Sequence, residues 1–286
     1  MNEDAPDSVV FEQLMEKLYT NHPIRVPILG TSETIRRITP EILETCHRAF
    51  YTPGNMLLCV VGDVDPVRVA DTALRVLGSA PREVGVKVPF QPESMECSGE
   101  TAVRTMEVAM PMFNLAFKCE PIGKGEQAIR SEMVADLAAE ALFGESSDLY
   151  LQLYEQGLID SSFGGGFETI DGCAMLLCSG DSDDPSAVRE AIIAQAEKIA
   201  AQGLEEAAFR RMKRSNLGRR IRGLDSFDST CFRICAYHLS DFDYFRFPEL
   251  FRDIAIADIQ AFLSRVVTRE RSSLSVITPI EKEETP

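Results

Sequence analysis

One apolar run constrains the front of this chain more than any other feature. Met56-Leu57-Leu58-Cys59-Val60-Val61 has no polar interruption and is bounded by turn residues, including Pro53-Gly54-Asn55. Such a run reads as a buried strand. Its neighbours all read as helix or loop. Residues 9–19 carry a helical period, with Val10 or Phe11, Leu14 and Leu18 on one face, and Asn21-His22-Pro23-Ile24 breaks it. Thr39-Pro40-Glu41 is a helix start, running to about Ala49. Asp65-Pro66 starts another helix, which Gly78 ends in a left-handed cap. One strand cannot make a sheet. Residues 1–79 therefore read as the back half of a domain whose front half the chain does not contain, and apolar surface on them is expected to be exposed and prone to self-association.

Residues 80–100 hold three prolines and no clear period, which reads as a linker. A second region spans 101–286. Residues 102–119 read as extended structure. A strong helix follows, with Ile129, Met133, Leu137 and Ala141 at every fourth position, and Gly144 closes it. After a short helix at 149–155 come strands at 159–169 and 172–180, joined by the hairpin dipeptide Asp171-Gly172. Helices at about 184–201, 204–222, 227–239 and 248–266 precede a strand at 273–278 and a polar, frayed tail at 281–286. The order predicts an α+β fold, a mostly antiparallel sheet packed by helices, with one partial domain followed by one complete domain.

Charge narrows the partners. The formal net charge is −16, which argues against nucleic acid. Seven cations between Arg210 and Arg222 crowd one helix; they read as a solvated face paired with nearby acids, or as a docking site for an acidic partner. No window approaches a membrane helix, and Met1-Asn-Glu-Asp-Ala-Pro-Asp7 is the opposite of a signal peptide, so a cytoplasmic location is expected, with no membrane partner. The eight cysteines then read as reduced. Cys173 and Cys178, five apart on a strand, should point to opposite faces. Cys231, Cys235 and His238 share a helix without a zinc-finger spacing or an evident fourth ligand, and read as buried free thiols beside a histidine.

Five blocks in order carry a family resemblance. Tyr19-Thr-Asn-His-Pro-Ile, Ile28-Leu-Gly-Thr-Ser-Glu-Thr-Ile35, Ile38-Thr-Pro-Glu, Phe50-Tyr-Thr-Pro-Gly-Asn-Met56 and Val60-Val-Gly-Asp-Val-Asp65 resemble the latter half of the first domain of M16 peptidases, the inverted zincins. Phe143-Gly-Glu-Ser-Ser-Asp-Leu-Tyr150 and Leu153-Tyr-Glu-Gln-Gly-Leu-Ile-Asp160 resemble the start of the second M16 domain, closest to a bacterial branch of paired M16-like proteins. The resemblance implies a zinc-dependent peptidase. In the family two histidines and a glutamate in His-x-x-Glu-His share a helix, a downstream glutamate completes the zinc site, and the motif glutamate serves as general base. This chain has only His22, His47 and His238, no two within a helical turn. The resemblance places residue 1 just past the last zinc ligand, so no catalytic residue, metal ligand or cofactor is expected in this chain, and zinc is implied for the full-length family member. Glu3 and Asp4 are expected in an exposed loop.

Many relatives carry, in the second domain, a substrate-binding arginine and a tyrosine seven residues later. Here Tyr154 stands at the arginine position and Asp160 or Ser161 near the tyrosine position. The substrate-binding residues implied are Tyr154, Asp160, Ser161 and Phe163. Gly164-Gly165-Gly166 permits close backbone approach by a peptide or a neighbouring domain and is not a phosphate loop. Two readings follow: the C-terminal portion of a zinc peptidase that forms part of a peptide-binding chamber and is inactive alone, or a natural non-catalytic subunit that binds a peptide or protein and pairs with an active M16-like homologue. A third, an unrelated α+β enzyme, finds no acid, base and nucleophile set to support it.

Overall fold

The computed structural model describes residues 4–78, 91–97, 101–170 and 172–280. Helices α1 (Pro6–Leu18), α2 (Ser32–Ile35), α3 (Pro40–Phe50) and α4 (Pro66–Leu77) precede strands β1 (Thr101–Met106) and β2 (Met112–Cys119). Helices α5 (Glu126–Phe143) and α6 (Asp148–Glu155) lead to β3 (Gly164–Ile170) and β4 (Cys173–Asp181). Then α7 (Pro185–Gln202), α8 (Glu206–Arg222), α9 (Phe227–Leu239), α10 (Phe247–Arg252) and α11 (Ile256–Val266) run to β5 (Ser272–Pro279). The five strands form one sheet in the order β1-β5-β2-β4-β3. Only β1 and β5 pair in parallel; the other three pairings are antiparallel. The fold is α+β, as the element order predicts. The hairpin also holds: Ile170 pairs with Cys173, and Gly172 adopts φ 85°, which a Cβ would disfavour. Asp171 lies outside the described residues, as do most of the 80–100 linker, the 281–286 tail and Glu3. No helix among the described residues is long and apolar enough to cross a membrane.

Both faces of the sheet are covered, and β2 shows it. Phe113, Leu115, Phe117 and Cys119 enter the main core with α5, α7 and α11, while Ala116 on the opposite face packs under α1. Cys178 and Cys173 separate onto these same two faces, as their odd spacing requires. Although α1 comes first in the chain, it lies on the second region's sheet. Leu14, Met15 and Leu18 are fully buried there, each contributing roughly 1.5–3 kcal/mol. The small side chains Ser273 and Ser275 on β5 and Ala116 on β2 leave room for the helix, and Gln13 meets Ser275 at 3.3 Å.

A buried ion pair fixes the end of α1. Lys118 of β2 is 1% exposed, 3.4 Å from Glu93 and 3.0 Å from the Ser94 carbonyl, with its ammonium 4.6 Å from the Tyr19 ring centroid. Glu93 also accepts hydrogen bonds from the backbone N–H groups of Thr20, Asn21 and His22. Burial pushes the Glu93 carboxyl up, but the three N–H groups and the Lys118 charge outweigh it and hold the group below the usual glutamate range.

Two sequence expectations need correction. Met56–Val61 is neither a strand nor buried: among the described residues no strand pairs with it, and Leu58 is 60% exposed. An extended segment becomes a strand only when a neighbour takes its backbone hydrogen bonds. With it, α3 and α4 leave Leu43, Phe50, Val67 and Leu74 open to solvent. The expected helix at 248–266 is two, because Lys213 draws off the carbonyls of Arg252 and Ile254 at 2.7 Å while Asp258 takes the Ala255 N–H and starts α11. Gly144 closes α5, as expected, with φ −62°; a Cβ there would lie 2.6 Å from the Glu140 carbonyl.

Glu93→Gln is expected to lower unfolding free energy at pH 7 by roughly 2–4 kcal/mol, because it weakens charge-assisted bonds and strands a buried ammonium. A carboxyl with a depressed folded pKa stabilises above its unfolded value of about 4.3 and loses that contribution as pH falls through the folded value. Urea unfolding of both proteins should therefore converge on acidification below that range; a constant difference would refute the assignment.

Candidate functional site

Strand β3 ends the sheet. Among the described residues it pairs with β4 alone, so alternate N–H and C=O groups along Gly164–Ile170 have no described strand partner on the other side. At this edge lies a cavity of about 920 Å³ between β3, α5, α8 and α9. Gly165 is required where the strand meets α5: a Cβ there would lie 2.7 Å from the Phe143 ring and 2.8 Å from the Leu177 carbonyl.

The cavity wall is charged. Helix α5 places Glu132, Asp136 and Glu140 one turn apart on its polar stripe. Opposite them, α8 supplies Arg220, paired with Asp136, and Arg219, 2.5 Å from Glu140. Tyr237 of α9 donates to Glu132 at 3.1 Å and accepts from Arg220 at 3.0 Å. Burial, then the Asp136 charge, pushes Glu132 up against the pull of Arg220 and Tyr237. Burial, then Asp136, also raises Glu168 on β3. Burial pushes the Tyr237 hydroxyl up to about 12, with Glu132 adding to it. Burial disfavours the Arg220 charge, but Asp136, Tyr237 and Glu132 more than restore it, so the guanidinium stays protonated.

The implied substrate-binding residues do not enter this cavity. Tyr154 projects from α6, half exposed and stacked on Tyr150 at 6.0 Å. Asp160 accepts from the Ser162 N–H at 2.7 Å, and the Ser162 hydroxyl accepts from Asp181 at 3.0 Å. Ser161 is exposed beside them. Phe163 is buried against Phe113, Phe143 and Tyr150, where it shapes the core. These residues gather at the beginning of β3, next to a separate depression that Ser162 and Asp181 line.

Residues that could hold a metal do not converge. His22 caps Ile24, His47 stacks on Tyr51 at 5.0 Å, and His238 is exposed near the end of α9. No group of three or more His, Cys, Asp or Glu side chains suited to a metal ion occurs among the described residues. The α5 carboxylates do not fit zinc either, since Asp136 and Glu140 are already neutralised by guanidinium groups. The eight cysteines are free thiols, with Cys119, Cys173 and Cys178 buried; Cys231 and Cys235, expected buried, are only partly so, and the Cys231 thiol lies 3.9 Å from the carbonyl of Cys59 in the exposed 56–61 segment. The basic run on α8 is divided: Arg219, Arg220 and Arg210 pair with acids, and Lys213 serves backbone carbonyls.

Residues 37–216 match the family model described as peptidase M16 inactive domain. The chain belongs to the M16 peptidase family. It is 30% identical to the uncharacterized zinc protease YmfH of Bacillus subtilis (strain 168) over 98% of its own length and 66% of that protein. Zinc protease PqqE of Helicobacter pylori is 22% identical, covering 78% of this chain and 51% of that protein. Among solved structures, an M16-like peptidase from Alicyclobacillus acidocaldarius superposes with TM-score 0.89 at 23% identity, over 98% of this chain and 67% of that one. The peptidase M16 inactive domain from Pseudomonas fluorescens gives 0.81 at 15% identity, over 99% and 68%. The chain thus spans half to two thirds of the length of these proteins, and the structural matches establish the shared fold.

Arg220→Ala is expected to destabilise the protein by roughly 2–3 kcal/mol, because it leaves the partly buried Asp136 beside Glu132 without its cation. Arg219→Ala, at a pair half open to solvent, should cost no more than about 1 kcal/mol. Equal losses in chemical denaturation would disprove the asymmetry.

Proposed function

We propose that this chain forms the non-catalytic wall of a peptide-binding chamber in a zinc-dependent M16 peptidase, and that it cleaves nothing by itself. The free edge of β3 above a 920 Å³ cavity carries this reading. An extended peptide can add to such an edge through backbone hydrogen bonds, with alternate side chains directed at pockets below. The zinc centre and its general base then come from a His-x-x-Glu-His-bearing domain that faces this wall, and Tyr154, Asp160 and Ser161 contribute at the mouth of the same groove. Zinc relatives of this family, YmfH among them, are consistent with that division.

A second reading, a non-catalytic subunit paired with an active M16-like homologue, draws on the uncovered apolar faces of α3 and α4. Val26, Ile28, Leu43, Leu58, Leu74 and Val76 are all more than half exposed, enough to be covered by a partner or by a second copy. A cytoplasmic setting, with neither nucleic acid nor membrane as partner, suits both readings.

Purified chain with added zinc is expected to bind quenched fluorescent peptides without cleaving them, and turnover should appear only when a His-x-x-Glu-His-bearing M16 protein is supplied. Chelator-sensitive cleavage by the chain alone would refute the proposal. If a separately expressed homologue restores turnover in trans, the paired-subunit reading is favoured; if turnover needs both parts in one polypeptide, the chamber-wall reading is.

A further inference from the structure

We propose that Cys59 and Cys231 form a redox pair whose disulfide ties the front of the chain to α9. The two residues lie 172 positions apart, yet the Cys231 thiol sits 3.9 Å from the Cys59 carbonyl oxygen. It also meets the Cys59 thiol and the Val61 backbone; burial, then the contact with that thiol, holds the Cys231 thiol above its ordinary range. Both cysteines are free and partly exposed, so a small oxidant can reach them, whereas Cys119, Cys173 and Cys178 are buried. Little else holds this part of the front. Among the described residues, no ion pair and no hydrogen bond besides those of Cys231 joins residues 27–78 to the rest of the chain. Helices α3 and α4 bury no residue of their own.

The segment that carries Cys59 can move to meet its partner. A disulfide needs Cα atoms about 4.4–6.8 Å apart, and among the described residues 56–61 belongs to no sheet, so adjusting it breaks no ladder. The oxidant is a low-molecular-weight disulfide, RSSR. One thiolate of the pair attacks a sulfur of RSSR, which forms a protein–SR mixed disulfide and expels RS⁻. The other thiolate attacks the protein sulfur of that mixed disulfide and expels the second RS⁻. The two expelled thiolates take up the protons that the cysteines lost, so two thiols are oxidised to one disulfide and RSSR is reduced to two RSH. Helix α9 also lines the 920 Å³ cavity, through Asp228, Phe232 and Arg233. Oxidation therefore fastens the otherwise loosely held front segment to the helix that walls the cavity.

The test places the whole folded chain in glutathione buffers that run from reducing to oxidising, traps remaining thiols by alkylation and digests with trypsin. Trypsin puts Cys59 in peptide 49–68, Cys231 in 223–233 and Cys235 in 234–246, so the three are told apart by mass spectrometry. The expected major disulfide links 49–68 to 223–233. Opening it in the folded chain should take about tenfold or more reduced glutathione than opening the same link in chain unfolded by urea, because the fold supplies the proximity. Cys59→Ser and Cys231→Ser should each abolish the link, and Cys235→Ser should leave it. Oxidation should slow amide hydrogen exchange in α3 and α4 of the parent chain and not in Cys231→Ser. Glutathione mixed disulfides without the link, a link to Cys235 in its place, or equal opening in folded and unfolded chain would overturn the pair. A link that leaves exchange in α3 and α4 unchanged would overturn the tether.

Discussion

A single buried ammonium group organises the junction between the front of this chain and its sheet. Lys118 stands on the middle strand, on the face that α1 must cover, and is almost wholly removed from water. A lone charge there would be prohibitively costly. Glu93 neutralises it, and in doing so the same carboxylate gathers the three backbone N–H groups that follow α1. The charge on β2 is thus satisfied only if residues 91–97 lie across the end of α1, and α1 is held only if that crossing is made. Tyr19 completes the arrangement by offering its ring to the ammonium and its hydroxyl to the Ala174 carbonyl at 3.4 Å.

The periodic helices and the hairpin were legible from the sequence because their causes are local. Thr39 and Asp65 cap α3 and α4 through their own side chains, and the tight turn at Gly172 sets the β3–β4 register. What failed depended on distant partners. The run Met56–Val61 has every residue of a strand, but strand formation belongs to the pair and not to the segment. The break between α10 and α11 was hidden because Leu250, Phe251 and Ile254 carry the apolar period across it, while its cause is Lys213, four tens of residues earlier. The α5 acids at 132, 136 and 140 were visible as a one-turn stripe in an otherwise apolar helix. Their meaning was not, because Arg219 and Arg220 approach from α8 and Glu168 from β3.

The family resemblance and the geometry point to different ends of β3. The resemblance implies residues at the strand's beginning, where Tyr154, Asp160 and Ser161 sit around a turn. The charged cavity lies further along the strand, behind Gly165 and Gly166. The turn residues border a depression that is separate from this cavity.

The place of β5 in the sheet has a consequence for how the protein is made. The last strand lies between β1 and β2, and pairs with both. Strands β1 and β2 are near neighbours in sequence but never touch as a ladder. On the ribosome, the α1-covered half of the sheet therefore waits for Ser272–Pro279 to emerge, while the β2–β4–β3 portion can assemble from segments already translated. Closure over so long an intervening chain is entropically slow. From its own emergence until that of Ser272–Pro279, β1 has no strand partner among the described residues, so β5 decides when this edge stops being vulnerable to aggregation.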